Sequence, residues 1–344
     1  MKHKNLKTAI SSVVISLAIY VILSVMVVML IYEGLFARVE ASEYHPFLHY
    51  EDMNSYNTRD VSFDSEGMKL VGKIYGDNAD KLVILAHAKG GTGEDMLAEA
   101  QFFLDNGFSV MVFDCTGCGQ SDGSSQLGLQ RPVTDLENAI DYAKEQGFTG
   151  IYLYGMGTGG YAAGACADYK GVSAVAAVSA FGTVPAMTLD YATEGVGFLG
   201  YLEYPIMLLY QYIVFGSELQ NSALDGLKAA DVPVVVVNGT ADETVRPDKS
   251  ALIGYADKIS NPMVSYITVD GGRHKSLMRT EAANALLDDF NREAYSLSEK
   301  YGGEVPTAEI EAFYAGYSRE AMSEPDIDIM NEILSVFSSA ETAS

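Results

Sequence analysis

Six short runs of this chain are apolar almost from end to end: KLVILAHA (81–88), FSVMVFD (108–114), IYLYG (151–155), VSAVAAVSA (172–180), VPVVVVNG (232–239) and MVSYITVD (263–270). A strand without polar alternation has to be covered on both faces. Helical patterns separate several of these runs, at Glu94 to Asn106 and at Val133 to Gln146, and further helices are expected after the last two. Strands alternating with helices connect through right-handed β-α-β crossovers. The expectation is therefore an α/β fold with a mostly parallel central sheet and helices on both faces. Two earlier runs, VSFDS and KLVGKIYG, read as an antiparallel pair at its edge.

One interval breaks this rhythm. Residues 182–231 separate two sheet strands by about 50 residues, too many for an ordinary connection. They contain YLEYPIMLLYQYIVFG (201–216), too short to cross a bilayer, and read as a helical lid over the sheet. The tyrosines at 201, 204, 210 and 212 are assigned to packing.

The first 32 residues stand apart. Lys2, Lys4 and Lys7 precede an uncharged run over 9–32. At about 1.5 Å per residue that run is roughly 36 Å long as a helix, enough to span the hydrocarbon core. Signal peptides usually have an apolar region of only about 7–15 residues, so an uncleaved anchor is the reading adopted; the competitor is a signal cleaved near VEAS. Basic residues before the span, and Glu33, Glu40 and Glu43 after it, place residues 1–8 in the cytoplasm and the remainder outside a cell membrane, as a single-pass protein. Residues 33–60 read as a polar stalk, 61–300 as the α/β domain and 301–344 as an acidic helical extension. In that extension Ser323 and Asp326 start a helix whose Met330, Ile333, Leu334 and Phe337 share one face and dock on the domain.

A net charge of −24 disfavours nucleic acid as a partner. Three cysteines make no disulfide framework, although Cys115-Thr-Gly-Cys118 is a C-x-x-C. His45 and His49 form an H-x-x-x-H, but Pro46 interrupts any helix and no third ligand is near, so no metal site is expected.

The turns that follow the apolar strands carry the chemistry: HAKGGTGED, DCTGCGQSDG, GMGTGG, NGTADETV and GGRHKSL. All lie at the C-terminal ends of strands in a parallel sheet, where such sheets place their ligand sites. In this order they resemble the α/β-hydrolase superfamily, and most closely the membrane-anchored, lysophospholipase-like or serine-aminopeptidase-like hydrolases of Gram-positive bacteria. The resemblance covers roughly residues 60–300. It implies an α/β-hydrolase fold with a lid, no cofactor, and an ester or amide substrate of lipid-like or peptide character under the lid. LYGMGTGGYAA is similar to the nucleophile elbow G-x-S-x-G-G, with Gly157 where the serine belongs. Asp242 and His274 fall in the acid and base positions, and the N–H groups of Thr158 and Lys89 in the oxyanion positions. Asp114 is expected to hold its loop. Thr158, one residue into the helix, points away from the histidine and is a poor substitute nucleophile; Cys115 and Cys118 on the neighbouring loop are weaker candidates still.

Three functions fit these residues: a hydrolase whose serine mechanism is disabled, a non-catalytic pseudohydrolase binding a small apolar ligand or a protein, and an ordinary serine hydrolase carrying a substituted glycine at 157. Oligomeric state is not encoded in any motif. For the topology, protease added to intact protoplasts is expected to remove the domain. Full protection would overturn the orientation, and a mature N-terminus near Ser42 would overturn the anchor.

Overall fold

The computed structural model describes residues 2–42 and 44–343, with backbone only for 2–6, 8, 196, 342 and 343. The side chains of Lys2 and Lys4, and Glu43, lie outside that description. The chain opens with one long helix, α1 (Lys2–Leu35). The strands are β1 (Thr58–Ser65), β2 (Met68–Tyr75), β3 (Lys81–Ala86), β4 (Ser109–Phe113), β5 (Gly150–Met156), β6 (Val172–Val178), β7 (Val234–Gly239) and β8 (Val264–Val269). Between and after them lie α2 (Leu97–Asp105), α3 (Arg131–Glu145), α4 (Thr158–Ala165), α5 (Val184–Val196), α6 (Gly200–Phe215) and α7 (Ala223–Ala229). The chain ends with α8 (Glu281–Lys300), α9 (Thr307–Tyr314), α10 (Arg319–Ser323) and α11 (Ile327–Ala343).

The strands form one eight-stranded sheet in the order β1-β2-β4-β3-β5-β6-β7-β8. β1 and β2 pair antiparallel, β2 joins β4 antiparallel, and β3 to β8 are parallel. Period-two alternation divides the apolar strands between two cores. Ile84, Met111, Leu153, Val175 and Val236 face α3, α4 and α7, while Val83, Val110, Tyr152, Ala174 and Val235 face α2 and α11.

Four expectations need correction. The run after β7 coils into a 3₁₀ segment, Leu252–Lys258, rather than an α-helix. The residues read as a stalk are packed onto the sheet domain. Arg38 donates to the carbonyls of Gly119, Ser121 and Gly123, and Leu48 and Met53 are buried. His45 and His49 contribute to this docking through Asp95 (2.8 Å) and Glu94 (3.4 Å). The C-terminal helix docks on the domain as expected, with α11 covering one face of the sheet, but its start differs. Its start is set by Asp326, whose carboxylate accepts from the N–H groups of Asp328 and Ile329; Ser323 instead accepts from Leu48 N–H. Lastly, Tyr201 and Tyr212 are exposed rather than packed, whereas Tyr210 does pack, against Tyr32.

Met330, Ile333 and Phe337 of α11 are fully buried. Phe337 stacks on Phe103 of α2 (5.4 Å between centroids) and leans on Tyr152 of β5 (5.2 Å). Phe337→Ala is expected to destabilise the protein by about 3–5 kcal/mol, read as a lowered urea midpoint of the detergent-solubilised chain.

Candidate active site

β5 runs straight into α4 through a bend at Gly157, and the bend exists because three backbones come almost into contact. A Cβ on Gly159 would lie 2.0 Å from the Ala86 carbonyl oxygen, and one on Gly155 would lie 2.1 Å from the Gly159 carbonyl oxygen. Neither position tolerates a side chain. Gly157, at φ 60° and ψ −115°, is different. A Cβ there would meet Ala88 Cβ at 3.1 Å and His274 Nε2 at 3.5 Å. Space alone does not demand glycine at 157, and the direction a side chain would take leads to the histidine.

His274 is brought there by the two loops beyond β7 and β8. These also meet backbone to backbone: a Cβ on Gly239 would lie 2.0 Å from the Gly272 carbonyl oxygen. Ala241 N–H donates to that same carbonyl. Asp242 is thereby held beside His274, with its Oδ2 3.0 Å from His274 Nδ1. Its other oxygen accepts from the N–H groups of Thr244 (3.0 Å) and Val245 (2.7 Å). Both side chains are buried. A carboxylate on Nδ1 places the ring proton there and leaves Nε2, which faces Gly157, free to accept one.

The remaining named residues fall around this centre. Thr158 is the first residue of α4, where N–H groups lack intrahelical acceptors. Lys89 follows Ala88, and its Nζ donates to the Leu35 carbonyl (3.3 Å) beside the Phe36 ring. Burial lowers the Lys89 pKa from its ordinary value. Asp114 accepts from the N–H groups of Gly93 and Gln120, so it ties two turns together as expected.

Cys115, Cys118 and Cys166 are free and buried. Burial pushes the Cys115 thiol well above its usual range and Cys118 up to about 12. Protonated thiols of this kind are poor nucleophiles and poor redox groups. Sequence reasoning passed over His87. Its Nε2 accepts from Cys115 N–H (3.0 Å), which leaves Nδ1 to donate to the Ala88 carbonyl (2.8 Å). His87 thus shapes the loop that faces Gly157. Ala88 was also missed, because its importance lies in a distance of 3.1 Å that no spacing in the sequence reveals.

Strand order, elbow, acid loop and histidine loop define an α/β-hydrolase, and the comparisons agree. The chain has the α/β-hydrolase fold. Residues 77–199 match the family described as serine aminopeptidase, S33. An esterase of Pyrococcus furiosus is structurally similar (TM-score 0.53, 18% identity, covering 77% of this chain and 98% of that one). So is Est1E of Butyrivibrio proteoclasticus, solved with ferulic acid (0.50, 21%, 69% and 99%). In sequence the chain is 30% identical over 114 residues to the thiohydrolase aneE of Aspergillus aculeatus. That match spans 30% of this chain and only 36% of the relative's length.

The crowding separates the elbow glycines by experiment. Gly157→Ala is expected to cost about 1–3 kcal/mol, the price of a side chain at this φ and ψ. Gly159→Ala is expected to cost more, since the Ala86 carbonyl must move; the two are compared by urea unfolding.

Proposed function

We infer that this chain is a membrane-anchored α/β-hydrolase of ester or amide-cleaving ancestry whose serine mechanism is switched off at position 157. The observation that carries the reading is the direction of the Gly157 Cα–Cβ vector, 3.5 Å from His274 Nε2 to the Cβ position, at a residue without a side chain. In a working enzyme of this geometry a hydroxyl at 157 gives its proton to His274. Asp242 holds the ring and stabilises its charged form, and the N–H groups of Thr158 and Lys89 receive the oxyanion. Every one of those parts except the hydroxyl has a counterpart among the residues described above. The site then binds an acyl-bearing or peptide ligand in the hydrolase manner without forming an acyl-enzyme. The esterase and thiohydrolase names of the relatives support the ester-type ligand over the peptide. The apolar helix α1 supports the anchor, with the N-terminus in the cytoplasm and the domain outside.

The intact Asp242–His274 pair favours a second reading, in which the dyad activates water directly. Hydrolases stripped of one triad member keep about 10³–10⁴-fold over water, so any such turnover is slow and is abolished in His274→Ala.

Fluorophosphonate labelling tests the main reading. The unmodified chain is expected to take up no label. Gly157→Ser is expected to label, slowly, because its Cβ presses on Ala88. The double variant Ala88→Gly/Gly157→Ser is expected to label faster, since the 3.1 Å contact is gone. Labelling of the unmodified chain, or a double variant that is folded but inert, would sink this reading.

A further inference from the structure

α5 and α6 form a hairpin closed by the 3₁₀ turn Gly197–Leu199. A Cβ on Gly200 would meet the Ala192 carbonyl at 2.3 Å, so the two helices approach closely there. Gln211 of α6 donates to the Thr188 hydroxyl of α5 inside the hairpin. Its partner on the other side is α1. Ser24, Val28, Tyr32 and Phe36 are buried at a four-residue interval, one stripe of the long helix.

The contacts fix the direction of this packing. Tyr20 Oη donates to the Leu202 carbonyl (3.2 Å), Ser24 Oγ donates to Glu203 Oε1 (3.2 Å), and the Tyr32 and Tyr210 rings lie 4.8 Å apart. Residue numbers rise together, so α6 runs parallel to α1 and the hairpin tip lies level with Tyr20. Fifteen residues of helix separate Tyr20 from Leu35, about 22 Å.

That level has a consequence for any membrane placement of α1. The apolar stretch is Ala9–Leu35, and crossing the hydrocarbon takes about 20 residues. Every 20-residue window within that stretch contains residues 16–28. Tyr20 and Ser24 are therefore inside the hydrocarbon wherever the helix sits, and the tip they touch is inside with them. The tip is built for it: Phe198 is 77% exposed, and Leu199, Tyr201 and Leu202 are exposed beside it. Further along α6, Tyr212 and Ile213 (72%) face outward too. The stretch Val184–Phe215 has no lysine or arginine. Two carboxylates flank the tip: Glu194 is exposed, and Glu203 takes the Tyr20 and Ser24 hydroxyls on one oxygen while its other oxygen is buried without a partner among the described residues.

We propose that the α5–α6 hairpin is a re-entrant membrane element, and that the cavity between it and α1 holds an acyl chain of a bilayer lipid. This rests on the reading of α1 as a membrane span. The cavity measures about 320 Å³ and is walled mainly by Val27, Ile31, Leu35, Tyr191, Ala192 and Met207, with Glu194, Gly195 and Glu203 completing its lining. Its α1 wall, residues 27–35, lies on the domain side of the span, so it opens where the outer leaflet's chains are. Its top, Leu35, takes the hydrogen bond from Lys89, whose neighbour Ala88 faces Gly157. The top of the cavity is thus joined by one hydrogen bond to the loop that faces Gly157.

The chain has no tryptophan, which permits single-tryptophan reporters in vesicles of bromo-acyl phosphatidylcholine. Phe198→Trp and Leu202→Trp report the tip, Ile22→Trp the anchor, and Tyr295→Trp on α8 the aqueous domain. The tip reporters are expected to lose at least half their emission to the bromolipid, as Ile22→Trp does, while Tyr295→Trp responds only to aqueous iodide. Tip reporters quenched by iodide while Ile22→Trp is quenched by bromolipid would overturn the hairpin and leave the anchor standing. If Ile22→Trp also escapes the bromolipid, the anchor fails and the proposal with it. For the cavity, phosphatidylcholine carrying a diazirine on its acyl chain is expected to mark Tyr191 or Met207, several-fold less in Ala192→Phe. Adducts confined to the outward faces of α1 and α6 would refute the acyl occupant.

Discussion

The carbonyl oxygen of Ala86 stands where a Cβ of Gly159 would have to be, 2.0 Å from that position, and the site depends on this contact. It presses the start of α4 against the end of β3, which forces β5 to turn sharply and lifts residue 157 above the sheet edge. The same device, Gly239 against the Gly272 carbonyl, draws the acid loop onto the histidine loop. Two backbone-on-backbone contacts therefore place all three triad positions, before any side chain takes part. The φ of 60° and ψ of −115° at position 157 is a by-product of the first. A side chain there carries about 1–3 kcal/mol of strain, which an enzyme accepts for reactivity and a binding protein has no reason to keep. On the function proposed above, glycine at 157 removes the strain and the nucleophile together, while the Asp242–His274 pair is kept.

Much of this was legible in the sequence, for identifiable reasons. All eight strands could be located: β3 to β7 are apolar because both faces are covered, and VILA or VVVV admits few other readings; β1 and β2 alternate, and β8, read as covered on both faces, is instead an edge strand with no buried residue. The elbow was legible because Gly155, Gly159 and Gly160 are dictated by crowding. Asp242 and His274 were legible from their positions after the seventh and eighth strands.

What the sequence concealed is the pairing of surfaces. The face of α11 bearing Met330, Ile333 and Phe337 is visible as an apolar stripe, but nothing in the stripe says that Phe103 and Tyr152 receive it. Residues 33–60 look like a spacer because they are polar, while Arg38 uses that polarity to bind three carbonyls of the turn after β4. Helices α1 and α6 are apolar on nearly every side, so periodicity cannot select the faces that meet. The register is revealed by specific contacts, the Tyr20 and Ser24 hydroxyls on Glu203 and the Tyr32 ring on Tyr210.

The docked segment changes what the proposed anchor means for this protein. A flexible stalk would leave the domain free to reorient relative to α1. Here α1 continues through Phe36, Arg38 and Val39 into contacts with the turn after β4, and packs its buried stripe on α6. The orientation of the domain to α1 is set by packing. The link passes through the site itself. Lys89 donates to the carbonyl of Leu35, the last residue of α1, where the helix presents unsatisfied oxygens and the negative end of its dipole. The Phe36 ring lies beside the same ammonium. Burial works against the charge on Lys89 and these partners work for it. The loop that faces Gly157 is thus tied to the end of α1.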